Sequence, residues 1–287
     1  MPELNSRIRD FYDASSGLWE QIWGEHMHHG YYAPGETSQK DRRLAQIDLI
    51  DRLLAWALPS DYTPTSILDV GCGIGGSALY LADRYDFRTY EDRQVTGITL
   101  SPVQAERASA RAIELGLQSR SQFLVADAMA MPFPDRSFDL VWSLESGEHM
   151  PDKAKFLQEC DRVLKPGGRL ILATWCHRDT SKRALSNDEL QHLQRIYNVY
   201  CLPYVISLSE YEAIARRMNF RQIKTADWSE AVSPFWDEVI ESAISPAAIW
   251  GVWRSGLNTL IAALSLRQMA KGYARGLIRF GILAATK

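Results

Sequence analysis

The 287-residue chain has no uninterrupted run of about 18 apolar residues, the length a membrane-crossing helix needs, so no span is predicted. Its amino-terminal residues, with Glu3, Arg7, Arg9 and Asp10 scattered through them, lack the apolar core of a signal peptide. A cytoplasmic or peripherally membrane-associated protein is expected, or a plastid one if the source is a plant. Cysteine is scarce: Cys72, Cys160, Cys176 and Cys201 have no regular spacing, which argues against a disulfide framework and fits reduced thiols. At a net charge of −3 no nucleic-acid partner is expected. No metal is expected either. His26, His28 and His29 cluster, but only Glu25 accompanies them, with no cysteine or further carboxylate at a recognisable spacing. One absence is local: no acidic residue follows Glu241, while Arg254, Arg267, Lys271, Arg275, Arg279 and Lys287 remain.

What is present suffices for a core, at 46% apolar residues, and one stretch says more than the rest. The apolar run Ile67 to Val70 leads into Gly71-Cys72-Gly73-Ile74-Gly75-Gly76, in which Gly71, Gly73 and Gly76 satisfy the dinucleotide fingerprint. Asp69 narrows the ligand. A carboxylate two residues before the first glycine would repel a pyrophosphate but suits an ammonium and a sulfonium, so S-adenosylmethionine is favoured over NAD. A second strand, Gln94 to Ile98, ends without an acid for a ribose; Thr99 stands there, beside Leu100, and its hydroxyl with Gln104 can bond a diol. Ser101 before Pro102 reads equally as a helix cap. A third strand, Gln122 to Ala126, ends at Asp127 and Ala128, where Asp127 is placed to accept from an adenine amino group. A fourth, Phe138 to Trp142, ends at Ser143. The fifth, Arg169 to Thr174, follows a Lys165-Pro166-Gly167-Gly168 turn that stops the preceding helix. Such strand ends gather at one edge of a parallel sheet, where ligands bind. Gly71, Cys72, Gly73, Thr99, Leu100, Gln104, Asp127, Ala128 and Ser143 therefore join Asp69 as the expected cofactor site.

The chain reads as a single domain. A core of about 60–175 plus 219–227 and 276–284 is joined by a helical cap from 1–57, 177–218 and 230–274. Within the last of these, Trp250, Trp253, Leu257, Leu260, Ile261 and Leu264 recur at helical spacing near the basic residues. Such a segment can rest on an anionic membrane surface, or pack inward as an ordinary amphipathic helix.

Residues 66 to 175 resemble the S-adenosylmethionine-dependent methyltransferase superfamily. Longer runs, Phe11 to Glu20, Trp23 to Gly30, Trp142 to Lys153, Thr174 to Arg178, Ala226 to Ser229 and Gly276 to Gly281, look like tocopherol C-methyltransferases, especially the cyanobacterial form. The resemblance implies an α/β, Rossmann-like seven-stranded sheet with the last strand antiparallel, S-adenosylmethionine as cofactor, and a lipid-soluble phenol, tocopherol, as acceptor. It implies methylation of the chromanol ring of γ- or δ-tocopherol, to the α and β forms. The pattern Ser143-x-Glu145-x-x-Glu148-His149 resembles methyltransferases that use this glutamate and histidine as the base. His149 is then the preferred base, with Glu148 orienting it or sharing the proton and Glu145 beside them. Tyr12 is expected at the methionine carboxylate, and Trp19, His28, His29, Tyr31, Trp175 and Trp228 around the phenol. An amine acceptor is the nearest alternative, since plant relatives methylate alkaloid nitrogens. A nicotinamide oxidoreductase and a non-catalytic lipid-binding module are more distant ones.

Overall fold

A computed structural model describes residues 2–36, 40–244 and 257–287. Seven strands form one sheet in the order β3-β2-β1-β4-β5-β7-β6, with β1 Ser66–Val70, β2 Gln94–Thr99, β3 Ser121–Val125, β4 Phe138–Leu144, β5 Leu164–His177, β6 Arg221–Asp227 and β7 Ile278–Thr286. The first five are parallel, and β7 runs antiparallel between β5 and β6. The expected seven-stranded α/β sheet is thus what the chain forms.

Alternation along the strands divides the core into two layers. Ile67, Leu140, Trp142, Ile171, Phe280 and Ile282 face one layer, and Leu68, Val70, Val141, Leu170, Leu172 and Leu283 face the other. The first is covered by α2 (Arg42–Ala57), α3 (Gly76–Arg84), α6 (Asn187–Val199) and α9 (Pro234–Ile244), the second by α5 (Lys153–Val163) and α7 (Leu208–Arg216). Tyr211 and Ala215 make α7 part of the sheet's covering layer, although residues 177–218 were expected in the cap. Buried on both faces, the central strands need near-continuous apolar runs, which Ile67-Leu68 and Leu140-Val141-Trp142 supply.

The helix ends follow their side chains. Ser101 accepts from the Gln104 backbone N–H at 3.0 Å and Pro102 opens α4 (Pro102–Glu114), as its sequence predicts. Ser186 and Ser207 form capping boxes with Glu189 and Glu210. β5 is longer than expected. It starts at Leu164, with Gly167 at φ +80° in an irregularity against β4, and runs to His177 because β7 pairs with it from Arg169 to that end.

α1 (Pro2–Trp23) lies beside the carboxyl ends of the strands. The aromatic pattern expected at residues 250 and 253 lies outside the described residues. The helix Leu257–Ala274 packs Leu266, Met269 and Tyr273 inward and leaves Arg267, Lys271 and Arg275 exposed at four-residue spacing. Among the described residues no helix is long and apolar enough to cross a membrane.

Candidate active site

β1 and β4 are neighbours, yet the chain leaves β1 toward β2 on one side and reaches β4 on the other. A crevice opens at that switch point, beyond the carboxyl ends of the strands. It holds a cavity of about 970 Å³. Asp69 projects into it from β1, 2% exposed, with Oδ2 buried and lacking any hydrogen-bond partner. Burial pushes this carboxyl up to about 7, against the stabilising backbone N–H of Ala78. An ammonium would satisfy the orphaned oxygen. Gly71 follows at φ +80°, and a Cβ there would lie 2.2 Å from the Ser146 Cβ, so the turn accepts glycine alone. Cys72 and Gly73 line the same cavity. Gly76, which opens α3, has a different neighbour: a Cβ on it would meet the Glu25 carbonyl at 2.4 Å.

At the end of β2, Thr99 donates to Gln104 Oε1 at 2.7 Å and accepts from the Ser101 N–H at 3.2 Å. Both side chains face the cavity, with Leu100. Asp127 and Ala128 face it from the end of β3. Asp127 already accepts the Met129 N–H at 2.8 Å and the Asn5 amide, from α1, at 2.8 Å. Ser143 does not reach the cavity. Wholly buried, it bonds the Ser146 hydroxyl at 2.7 Å, and Ser146 is the residue that faces the ligand space.

A second cavity of about 450 Å³ adjoins the first, and Tyr12, Met27, Glu145 and His149 line both. Its other walls are Phe11, Glu148, Trp175 and Tyr200. β4 ends at Leu144, and the following turn, Gly147–His149, presents Glu148 and His149. Lys153, buried at the start of α5, clamps that turn: its Nζ donates to the carbonyls of Gly147, Glu148 and Met150 at 3.0, 2.9 and 2.6 Å. Burial, reinforced by the Lys153 charge, holds His149 down at about 3, so its imidazole is neutral. His149 Nε2 lies 2.8 Å from the Tyr12 hydroxyl, while Nδ1 is buried without a partner. Burial and the nearby Glu145 push Glu148 up to about 8, although Thr174 donates to its Oε2 at 2.7 Å. Glu145 goes the other way. Burial alone would raise it, but His29 outweighs that and keeps it below the usual carboxylate range.

The expected aromatic and histidine wall divides. His28 lines the first cavity, held down at about 4 by burial, and Trp175 lines the second. His29 sits behind Glu145, its Nδ1 2.8 Å from Oε2. Tyr31 and Trp228 line neither cavity; they pack edge to face on each other at 5.4 Å, with Trp56 beyond. The Trp19 side chain lies outside the described residues. Tyr12 meets His149 by way of its hydroxyl, and any contact with a methionine carboxylate would be additional. Asn5, Ser146, Lys153 and Tyr200 escaped the sequence reading. For Lys153 there was a signal: a cation at the first position of a helix opposes the dipole and wants a reason.

A family model described as "Methyltransferase domain" matches residues 68–172. The chain is 50% identical to a rice (Oryza sativa subsp. japonica) protein described as "Probable tocopherol O-methyltransferase, chloroplastic", over all of this chain and 79% of that one. It is 44% identical to the Arabidopsis thaliana "Tocopherol O-methyltransferase, chloroplastic", with 99% and 82% covered. In solved structures, geranyl diphosphate C-methyltransferase from Streptomyces coelicolor A3(2) has the same fold, with a TM-score of 0.77 at 19% identity over 99% of this chain and 97% of that one. With the orphaned Asp69 oxygen suited to a cationic cofactor, this protein is an S-adenosylmethionine-dependent methyltransferase and belongs to the tocopherol methyltransferase family.

Proposed function

We propose that the enzyme methylates the ring carbon ortho to the hydroxyl of a chromanol, converting γ-tocopherol to α-tocopherol and δ-tocopherol to β-tocopherol. The observation that carries this reading is a neutral, buried His149 with an unpartnered Nδ1, lining both the cofactor cavity and an aromatic chamber next to it. In the first cavity, Asp69 would hold the ammonium of S-adenosylmethionine, Thr99 and Gln104 the ribose, and Asp127 the adenine. When bound, that cofactor supplies an electrophilic methyl group on a sulfonium.

The acceptor chamber has to ionise a phenol, whose ordinary pKa is about 10, without water. His149 Nδ1 takes the hydroxyl proton, and the phenolate formed beside it is the counter-charge that a buried imidazolium otherwise lacks. Tyr12, held protonated by burial and by Glu148 and Glu145, then accepts a hydrogen bond from Nε2–H. Glu148 keeps its own proton at neutral pH and can donate a hydrogen bond to the phenolate oxygen without giving that proton up. We read α1, with Tyr200 at the end of α6, as the cap over this chamber. The exposed stripe Arg267, Lys271 and Arg275 supports peripheral attachment to an anionic membrane that holds the lipid substrate. Binding to anionic vesicles at low salt, lost as salt rises, is the expected result of co-sedimentation; no binding at low salt would remove the membrane role.

The acceptor is tested with labelled methyl donor against γ-, δ- and α-tocopherol and a panel of amines. Label on the ring carbon of the first two, with α-tocopherol inert, is expected. Label on the phenolic oxygen, as the relatives' descriptions would suggest, or on amines alone, would end the C-methylation reading and leave the methyltransferase intact.

A further inference from the structure

Methylation at an aromatic carbon displaces two protons, that of the hydroxyl and that of the carbon attacked. The second must leave where ring and methyl group meet, which is the junction of the two cavities. Among the described residues, only Tyr12, Met27, Glu145 and His149 line both. Met27 has no acid-base chemistry, Tyr12 keeps its proton, and His149 is engaged by the hydroxyl.

Glu145 remains, and its surroundings are built around an ionised carboxylate. Its side chain is 5% exposed, yet three N–H groups converge on it: the His29 backbone at 2.7 Å, His29 Nδ1 at 2.8 Å and Trp175 Nε1 at 3.0 Å. Five aromatic rings enclose His29 in turn, those of Trp175, Phe235, Trp236, Tyr273 and Phe280. The Glu145 backbone is held at φ +53°, a left-handed conformation costly for a residue with a side chain and kept only where the neighbours enforce it. Strand β4 has to turn here to aim the carboxylate back at the junction. Glu148, by contrast, lines the acceptor chamber alone and is protonated at neutral pH.

We propose that Glu145 is the base that removes the ring proton after methyl transfer, a role resting on the C-methylation reading above. The balance is as follows. The ring carbon forms its bond to the methyl group as the methyl–sulfur bond breaks and its electron pair goes to sulfur. The ring is left as a dienone whose attacked carbon bears both methyl and hydrogen. Glu145 takes that hydrogen as a proton, the C–H electrons restore the aromatic ring, the oxygen recovers its proton from His149, and Glu145 releases its proton to solvent. A carboxylate kept ionised is well matched, because regained aromaticity drives the step and a weak base suffices.

The test uses γ-tocopherol deuterated at its one free ring position, with wild type, Glu145→Gln, Glu145→Asp and Glu148→Gln, each first checked by calorimetry for S-adenosylhomocysteine binding. With the base in place, proton loss is expected to follow methyl transfer rapidly, giving a deuterium isotope effect on kcat near 1 in wild type. Removing or shortening the base makes proton loss slow, and an isotope effect above about 2 is expected in both Glu145 variants with cofactor affinity unchanged. Glu148→Gln should stay near 1. Isotope effects near 1 in both Glu145 variants would overturn the assignment, as would one that appears in Glu148→Gln instead. The underlying reading fails separately and visibly: a wild-type product that gains the methyl group but retains the ring deuterium is not a product of C-methylation at that carbon.

Discussion

The cofactor cavity takes its polar groups from the ends of β1, β2 and β3 and the turns that follow them, with α1 and the turn after β4 closing it, whereas the acceptor chamber has no wall from those three strands and joins Phe11, Glu148, Trp175 and Tyr200. The electrostatics differ as sharply. Asp69 waits in the first cavity for a cation, its carboxyl raised for lack of one. In the second, two carboxyls three residues apart are pushed in opposite directions, Glu145 down and Glu148 up, with a neutral imidazole beside them. One cavity is made to bind a fixed charge, the other to let protons move. Such pairs with divergent acidities are how one site holds both an acid and a base at one pH.

The largest expected effect separates the two functions. His149→Ala should lower kcat by about 100- to 10,000-fold, the range for loss of a general base, with S-adenosylhomocysteine affinity little changed by calorimetry. Wild-type turnover would dissolve the distinction between the cavities. Next in size is a pH effect confined to the first cavity. Free Asp69 titrates near 7 and must be ionised to meet an ammonium, so binding at lower pH expels a proton. Affinity for S-adenosylhomocysteine should fall by up to about tenfold per unit below pH 7 and level off above it, and Asp69→Asn should flatten the profile. The same raised pKa values act on folding: the contributions of Asp69 and Glu148 to stability are complete below the ordinary carboxylate range and are lost as pH rises through about 7 and about 8. Thermal melting of the free protein should therefore show a decline across that window. The smallest effect is at the border. Tyr12→Phe removes one hydrogen bond to His149, worth about 1 kcal/mol, and should slow turnover severalfold at most.

Legibility in the sequence follows the same line. The first five strands and the polar groups of the cofactor cavity at their ends rest on local patterns: apolar strands, a glycine turn, and polar residues at strand ends. Even there Ser143 misled, because a strand end does not say which of two nearby serines, Ser143 or Ser146, turns outward. In the acceptor chamber, Glu148 and His149 were visible as an unusual pair, but not that burial would drive one up and the other down. Tyr31 and Trp228 were expected in the chamber because aromatic composition has no direction; in the fold they pack on each other instead, with Trp56 against Trp228. Lys153 acts on carbonyls only three to six residues before it and was open to a closer local reading, whereas Tyr200 depends on tertiary closure, which no spacing encodes.

The close approach of Gly76 to the Glu25 carbonyl has a consequence for where the molecule is stiff. Residues 25 to 31 are pinned to the sheet-bound helices: Arg111 donates to the Glu25 carbonyl at 3.1 Å, Gln46 to that of His28 at 2.7 Å, and the Tyr31 N–H to that of Ala45 at 2.8 Å. α1, just before them, reaches the ligand-facing segments through separate side-chain bonds, Asn5 to Asp127, Ser101 to Asp13 and Tyr12 to His149. Amide protons of the pinned stretch should then exchange with solvent as slowly as those of the central strands, and those of α1 through a local opening of much lower cost. The wall that carries Met27 and His29 thus shares the rigidity of the core, and the helix beside it supplies the give that ligands need to enter and leave.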